Sequence, residues 1–455
     1  MKNKHKITII LIIICTSVRA QSWYPVGSGI TGSNNTVLTL AQDTLNNLLY
    51  AGGAFTTAGS NAGLNIAKWN GTSWSALGTG ITGTGVFASS HVAALAMYDG
   101  KLFAGGFFSQ VGNIYTTNIG QWNGSGWDSV GSGVSASFGG QVFALAVFNN
   151  ELYVGGTFYA AGGNPANGIA RWNGTSWSTV GTGVGIGAIG FGVRSFAVYD
   201  NSLYVGGVFT TAGGITANGI AKWDGNNWSP VGTGVTTGTA RGVYSLAVYN
   251  NELFAGGYFT TAGGISANNI AKWNGSLWDS VSSGANNVTY ALALYNGELY
   301  AGGAFNITGG LTANKIAKWD GINWSSVSTG MSGAGGAGVN ALAVYNNELY
   351  VGGLFAMAGT TSVNNIAKWN SVTTNIEEYS NNSTLIYPNP SNGQIKINTS
   401  NDIEEIKISN TLGQMIYLSK NNGREFNLQL ENSGIYFLQT TDINKNIINA
   451  KIIVE

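Results

Sequence analysis

The sequence predicts an all-β protein: a seven-bladed β-propeller closed by an N-terminal strand, followed by a small Ig-like β-sandwich. Three observations predict it. A segment of the type LYVGGVF recurs seven times, with its last residue at Phe55, Phe108, Phe158, Phe209, Phe259, Phe305 and Phe355, at intervals of 46 to 53 residues. Each copy divides into four short apolar runs separated by turn residues. The 14 tryptophans form seven pairs, the last of which is complete only if the N-terminus joins the final copy.

The first element is MKNKHKITIILIIICTSVRAQS, in which lysines precede an apolar run and small residues Val18 and Ala20 precede a cleavage point. This is the pattern of a secretory signal peptide over residues 1–20, with cleavage between Ala20 and Gln21. The run from Ile7 to Cys15 is too short to span a bilayer, so the mature chain is expected to have no membrane span. Cys15 is the one cysteine, so the exported chain depends on packing rather than disulfides.

Within each copy, an alternating run such as VRSFAVY reads as the first strand, and a DN, NN or NG turn leads to the second, LYVGG. A loop of about ten residues precedes the third strand, IAKW, and an NG or DG turn leads to the fourth, WSPVG. Four antiparallel strands repeated radially make a propeller blade. The tryptophans that open and close the second hairpin are Trp69 and Trp74, Trp122 and Trp127, Trp172 and Trp177, Trp223 and Trp228, Trp273 and Trp278, and Trp319 and Trp324. Trp369 has no follower, but WYPVGSGI at 23–30 is similar to WSPVGTGV at 228–235, so Trp23 supplies the missing fourth strand. Closure removes the sheet edges of an open array. The propeller is thus assigned to residues 21–370.

Beyond Trp369 the composition changes. Residues 371–384 read as a polar linker, and residues 385–455 as short alternating strands of a small sandwich with less glycine and more isoleucine.

Two resemblances sharpen this reading. The glycine doublet closing the second strand, the aromatic of the third and the tryptophan of the fourth resemble kelch blades, and the whole cadence is similar to the cortical cell-polarity marker proteins of fungi; the period near fifty fits kelch better than WD40. These families share no activity, so the likeness implies fold rather than function. The pieces YPNP with Gly393, NTLGQ with Gly413, SGIYFLQ with Gly434 and the closing KIIVE resemble the type A C-terminal sorting domain of the bacterial type IX secretion system. That resemblance implies the secretion machinery as partner, acting through residues 385–455. It also implies a Bacteroidetes-type host and a secreted or outer-membrane-attached product.

Chemistry is sparse. Charged residues are 9% of the chain and balance to zero, with no basic run in the propeller, which argues against nucleic acid. The two histidines are His5 and His91, too few for a metal cluster or a Ser-His-Asp triad. The copper-radical oxidases that share the kelch fold need a Cys–Tyr pair and histidine ligands, which the exported chain lacks. Asp99, Glu151, Asp200, Glu252, Glu298 and Glu348 sit at first hairpins, as turn residues do. Asp43 stands apart in a longer hairpin, and one acid makes no glycosidase pair. No calcium loop is present, and a glycine doublet that occurs seven times after a strand is packing rather than a phosphate cradle. The expectation is no metal, no cofactor and no enzymatic activity.

Function is therefore sought where the copies disagree. The loops between blades and between second and third strands emerge on one face and are longer and more variable than the hairpins opposite. One position of the innermost strand varies around the ring, as Leu38, Ala93, Phe143, Arg194, Tyr244, Tyr290 and Asn340, with His91 and Arg241 close by. Phe143, Arg194, Tyr244, Tyr290, Asn340, His91 and Arg241 are the candidate ligand-binding residues, suited to a glycan or a protein by stacking and hydrogen bonding. The alternatives are that they plug the channel of a purely structural surface protein, or that Asp43 or rim residues serve a polysaccharide-active enzyme.

Overall fold

The computed structural model describes residues 21–32, 34–83, 90–135, 140–185, 192–236, 242–333, 338–370, 384–387, 389–410, 414–420, 423–444 and 447–454. The expected signal peptide with Ala20, nearly all of the linker, Arg241 and Gly413 lie outside the described residues. The described chain is built of strands, turns and bends and contains no helix. It separates into two units, residues 20–371 and residues 372–455.

Among the described residues, the first unit contains seven four-stranded antiparallel sheets. In the fourth, Gly192–Tyr199, Ser202–Val208, Ile220–Trp223 and Trp228–Pro230 follow one another from first strand to last. Innermost strands of successive sheets pack against one another, and Gly338–Tyr345 of the last packs against Thr36–Asp43 of the first, so the ring is closed. The seventh sheet borrows its outer strand from the N-terminus: Ser22–Pro25 pairs with Ile366–Asn370, setting Trp23 opposite Trp369.

Hairpin chemistry explains the local geometry. The two central residues of the first hairpin, such as Asn149–Asn150 and Asp200–Asn201, have φ between 46° and 59°, the left-handed pair of a tight turn that asparagine and aspartate tolerate. The second hairpin uses Asn-Gly differently. Asn70 begins the turn, its Oδ1 accepting from the amides of Thr72 and Ser73 at 2.9 and 2.8 Å, and Gly71 takes the positive φ. Trp69 and Trp74 thus flank four residues rather than two.

Tryptophan joins the sheets. Each fourth-strand indole packs against the third-strand indole of its own sheet. In the first six sheets it donates to a carbonyl of the preceding sheet's exit segment, as Trp74 Nε1 does to Val26 O (2.9 Å) and Trp127 Nε1 to Leu77 O (2.9 Å), whereas the buried Trp23 Nε1 of the seventh has no such partner. From the first strand, Tyr98, Tyr199, Tyr295 and Tyr345 donate their hydroxyls to hairpin carbonyls of the following sheet at 3.0–3.1 Å.

The ten-residue loops are not simple connections. Each carries a tiny hairpin, such as Gln110–Val111 with Ile114–Tyr115, and the exit segment of the preceding sheet, here Ile81–Thr82, adds a strand to it. Most sheets are latched to the next by such a ladder, and isolated bridges Val184↔Ala212 and Ala285↔Thr308 do the same at two junctions.

Among the described residues, the second unit has six strands. Its long strand Gln394–Asn410 is shared: the first half pairs with Thr384–Tyr387 and Gly423–Gln429, the second with Met415–Ser419 and Gly434–Asp442, which in turn pairs with Ile447–Val454. Both strand sets bury one core that includes Ile395, Phe426, Ile406 and Leu438. Where two separate sheets are expected from the sequence, hydrogen bonding through the shared strand joins all six into one network.

Candidate functional site

The glycine doublet builds the site. In every innermost strand the pairing register slips by one residue, between Val37 and Thr39, Val92 and Ala94, Val142 and Ala144, Val193 and Ser195, Val243 and Ser245, Thr289 and Ala291, and Val339 and Ala341. The skipped residues are Leu38, Ala93, Phe143, Arg194, Tyr244, Tyr290 and Asn340, the positions at which the copies disagree. Each is a β-bulge, a device that re-aims a side chain, and the doublet lies opposite it. A Cβ on the second glycine would lie 1.9–2.2 Å from an inner-strand carbonyl oxygen, so only glycine lets the bulge close. A Cβ on the first would lie 2.3–2.7 Å from a Val or Thr methyl of the next sheet.

All seven bulged side chains line one central cavity of about 530 Å³, together with His91, Tyr258 and Val288. Its wall is uneven. Across four successive sheets the Arg194 guanidinium lies 3.7 Å from the centre of the Phe143 ring and 5.8 Å from that of Tyr244, and Tyr244 stacks on Tyr290 with centres 6.2 Å apart and planes at 17°. The other arc carries Asn340, Leu38 and Ala93. The Asn340 amide donates to Val37 O (3.1 Å), so it also bridges last sheet to first. Burial pushes the Arg194 guanidinium below its ordinary range and the Tyr244 and Tyr290 phenols above theirs.

The structure therefore places six of the seven candidate residues around one cavity, with Arg241 outside the described residues. Sequence reasoning omitted Tyr258 and Val288. Tyr258 had a signal, because the residue after each glycine doublet also varies between copies: Phe107, Thr157, Val208 and Tyr258 are successive examples. Val288 had none.

Asp43 is 2% exposed and ends the first strand of the first sheet. Its carboxylate accepts from the amides of Leu45 and Asn46 and from Asn46 Nδ2 at 2.9–3.1 Å, the bonding of a turn cap. Burial, with Asp43 beside it, pushes the Tyr50 phenol up to about 12. Among the described residues, no three His, Cys, Asp or Glu side chains gather as a metal site would require, and no helix is long and apolar enough to cross a membrane.

The class is thereby defined: a β-propeller with a lined central cavity, carrying a separate C-terminal β unit. Residues 385–455 match the family described as the secretion system C-terminal sorting domain, and residues 149–174 match a β-propeller domain of unknown function (DUF5122). No curated protein matches the chain. Similar solved structures include PorZ of Porphyromonas gingivalis, described as an essential surface component of the type IX secretion system (14% identity, 92% of this chain, 66% of that one, TM-score 0.39). Others are the extracellular domain of a putative hybrid two-component system of B. thetaiotaomicron (10%, 92% and 55%, TM-score 0.46) and Raptor of Chaetomium thermophilum (10%, 77% and 29%, TM-score 0.42). The chain thus spans just under two thirds, about half and under a third of their lengths. The sorting domain marks the protein for export by the type IX secretion system to the cell surface or the extracellular space.

Proposed function

We propose that this exported propeller is a non-enzymatic binding module, holding a glycan or a surface protein in the central cavity at its long-loop end. One observation carries the reading. Seven bulges, each paid for by a glycine doublet, deliver a variable inner-strand position into a single cavity, while the flanking positions are held to Val or Thr before it and to Ala, Ser or Thr after it. A plugged channel needs no more than apolar filler. Here the filling is a stacked arc of Phe143, Arg194, Tyr244 and Tyr290, and Tyr290 keeps 37% of its surface exposed. The cavity volume lies within the ~300–1,000 Å³ typical of small-ligand sites.

The absence of enzymatic activity belongs to the proposal: the described lining offers no carboxylate for general acid or base work, and Asp43 is committed to its turn. A kelch-like ancestry and a Bacteroidetes-type host fit the same reading. The test is a glycan array and a surface-protein binding screen with the full chain and with Tyr290→Ala. Binding lost in the variant at unchanged melting supports a site. Ligands retained equally by the variant favour a surface protein whose repeats act without a discrete site.

A further inference from the structure

The acidic residues of the propeller are confined to one of its two ends. Antiparallel order places both hairpins of every sheet at one end and the exit segments and second-to-third connections at the other. All eleven Asp and Glu of residues 21–370 lie in or beside hairpins of the first end. Four of them are paired with cations there: Glu151 with Arg171, Glu252 with Lys272, Glu298 with Lys318 and Glu348 with Lys368, at 2.8–3.1 Å. The connections of the other end contain no acidic residue. The cavity belongs to this second end, and its described lining holds Arg194 and His91 with no carboxylate.

We propose that the cavity selects a carboxylate-bearing sugar, a glycan end carrying a uronic acid, with Arg194 binding the carboxylate and Tyr290 supporting the ring. This rests on the cavity being a binding site. With no acid in any connection at this end and Arg194 in the cavity lining, an anion meets no like charge there, and a concave low-dielectric wall concentrates the field of the guanidinium. The Arg194 guanidinium lies over the Phe143 ring at 3.7 Å, and its planar fork of N–H donors is the group that meets a carboxylate with two parallel bonds. One permanently charged side chain in the described lining matches one carboxylate rather than a polyanion or an acidic peptide run. The half-exposed Tyr290 face and the phenol and amide donors around it suit a pyranose ring, and about 530 Å³ holds about one or two such rings.

The test is calorimetric titration of the full chain with glucuronate-, galacturonate- and mannuronate-terminated disaccharides, the same disaccharides with the carboxylate reduced to the alcohol, and a short peptide with a free C-terminus. The expected result is saturable binding of a uronate, weakened about 10- to 100-fold by reduction. Arg194→Gln should erase the difference between acid and alcohol, Arg194→Lys should restore part of it, and Tyr290→Ala should weaken both. If Arg194→Gln does not fold, the acid-against-alcohol comparison on the unaltered chain still decides. Equal binding of acid and alcohol, both weakened by Tyr290→Ala, overturns the charge selection and leaves the cavity as a site. A preference for the peptide overturns the sugar class. No binding of any sugar, or binding indifferent to Tyr290→Ala, overturns this inference and counts against the cavity as well.

Discussion

Replacing Gly207 by alanine is the sharpest perturbation of the bulge that carries Arg194. Its new Cβ would lie 2.2 Å from the Gly192 carbonyl oxygen and 2.9 Å from Val193 Cα, both backbone atoms that no rotamer change can move. Relief to an ordinary contact requires the two strands to separate by roughly 1 Å, an overpacking cost of about 1–3 kcal/mol. The separation falls at the slipped register between Val193 and Ser195, so Arg194 loses its place between Phe143 and Tyr244. The control is Gly126→Ala, where an added Cβ meets nothing within 4 Å and φ is not positive. Thermal unfolding followed by tryptophan fluorescence should show a fall of several degrees for Gly207→Ala and none for Gly126→Ala. Near-ultraviolet circular dichroism should report the lost packing of the tyrosines. Equal melting of the two variants, with an unaltered aromatic spectrum, would refute the claim that the doublet exists to close the bulge.

Other expectations follow from the same geometry. Deleting residues 22–29 removes the buried Trp23 and the outer strand of the seventh sheet, and should lower stability by several kcal/mol in denaturant unfolding, since one buried tryptophan alone is worth about 3–5. Trp278→Phe keeps most of the ring but removes the 2.9 Å bond to Val231 O, and should cost about 1 kcal/mol in the same assay. Because the folded-state phenol of Tyr50 is raised from 10.0 to about 12, its contribution is present below pH 10 and is lost as pH rises toward 12. Melting temperature should fall across that window, and less steeply in Tyr50→Phe. A reporter fused to residues 371–455 and given a signal peptide should appear outside a cell that has the type IX machinery, and retention in the periplasm would count against the sorting role.

The ring was legible in the sequence because its signals are local and repeated. Tryptophan spacing exposed the displaced strand at Trp23, and Asn-Asn and Asp-Asn pairs marked hairpins whose positive φ only such residues tolerate cheaply. The bulge was not legible, since a register slip exists only once two strands are paired. What the sequence does carry is its two consequences, a glycine doublet and a variable position, which stand more than ten residues apart and look unrelated. The latching ladders escaped notice because strands of two residues, such as Ile81–Thr82, have no periodicity to read. Asn70 shows the same limit in a turn: Asn-Gly marks the hairpin, but only the hydrogen bonds of its side chain reveal that it begins the turn. In the second unit the sequence shows only short alternating strands, and pairing is what shows that Gln394–Asn410 is one long strand serving both halves.

The central claim is that seven bulges gather the variable residues into one binding cavity, and hydrogen–deuterium exchange tests it most directly. The strongest glycan or protein to emerge from the binding screen would be added to the full chain and amide protection mapped. The account predicts slowed exchange at the starts of the inner strands, around Phe143, Arg194, Tyr244 and Tyr290, and unchanged exchange in the hairpins at Asn149–Asn150 and Asp200–Asn201. Protection concentrated on those hairpins or on the outer strands, with the inner strands unaffected, would contradict it.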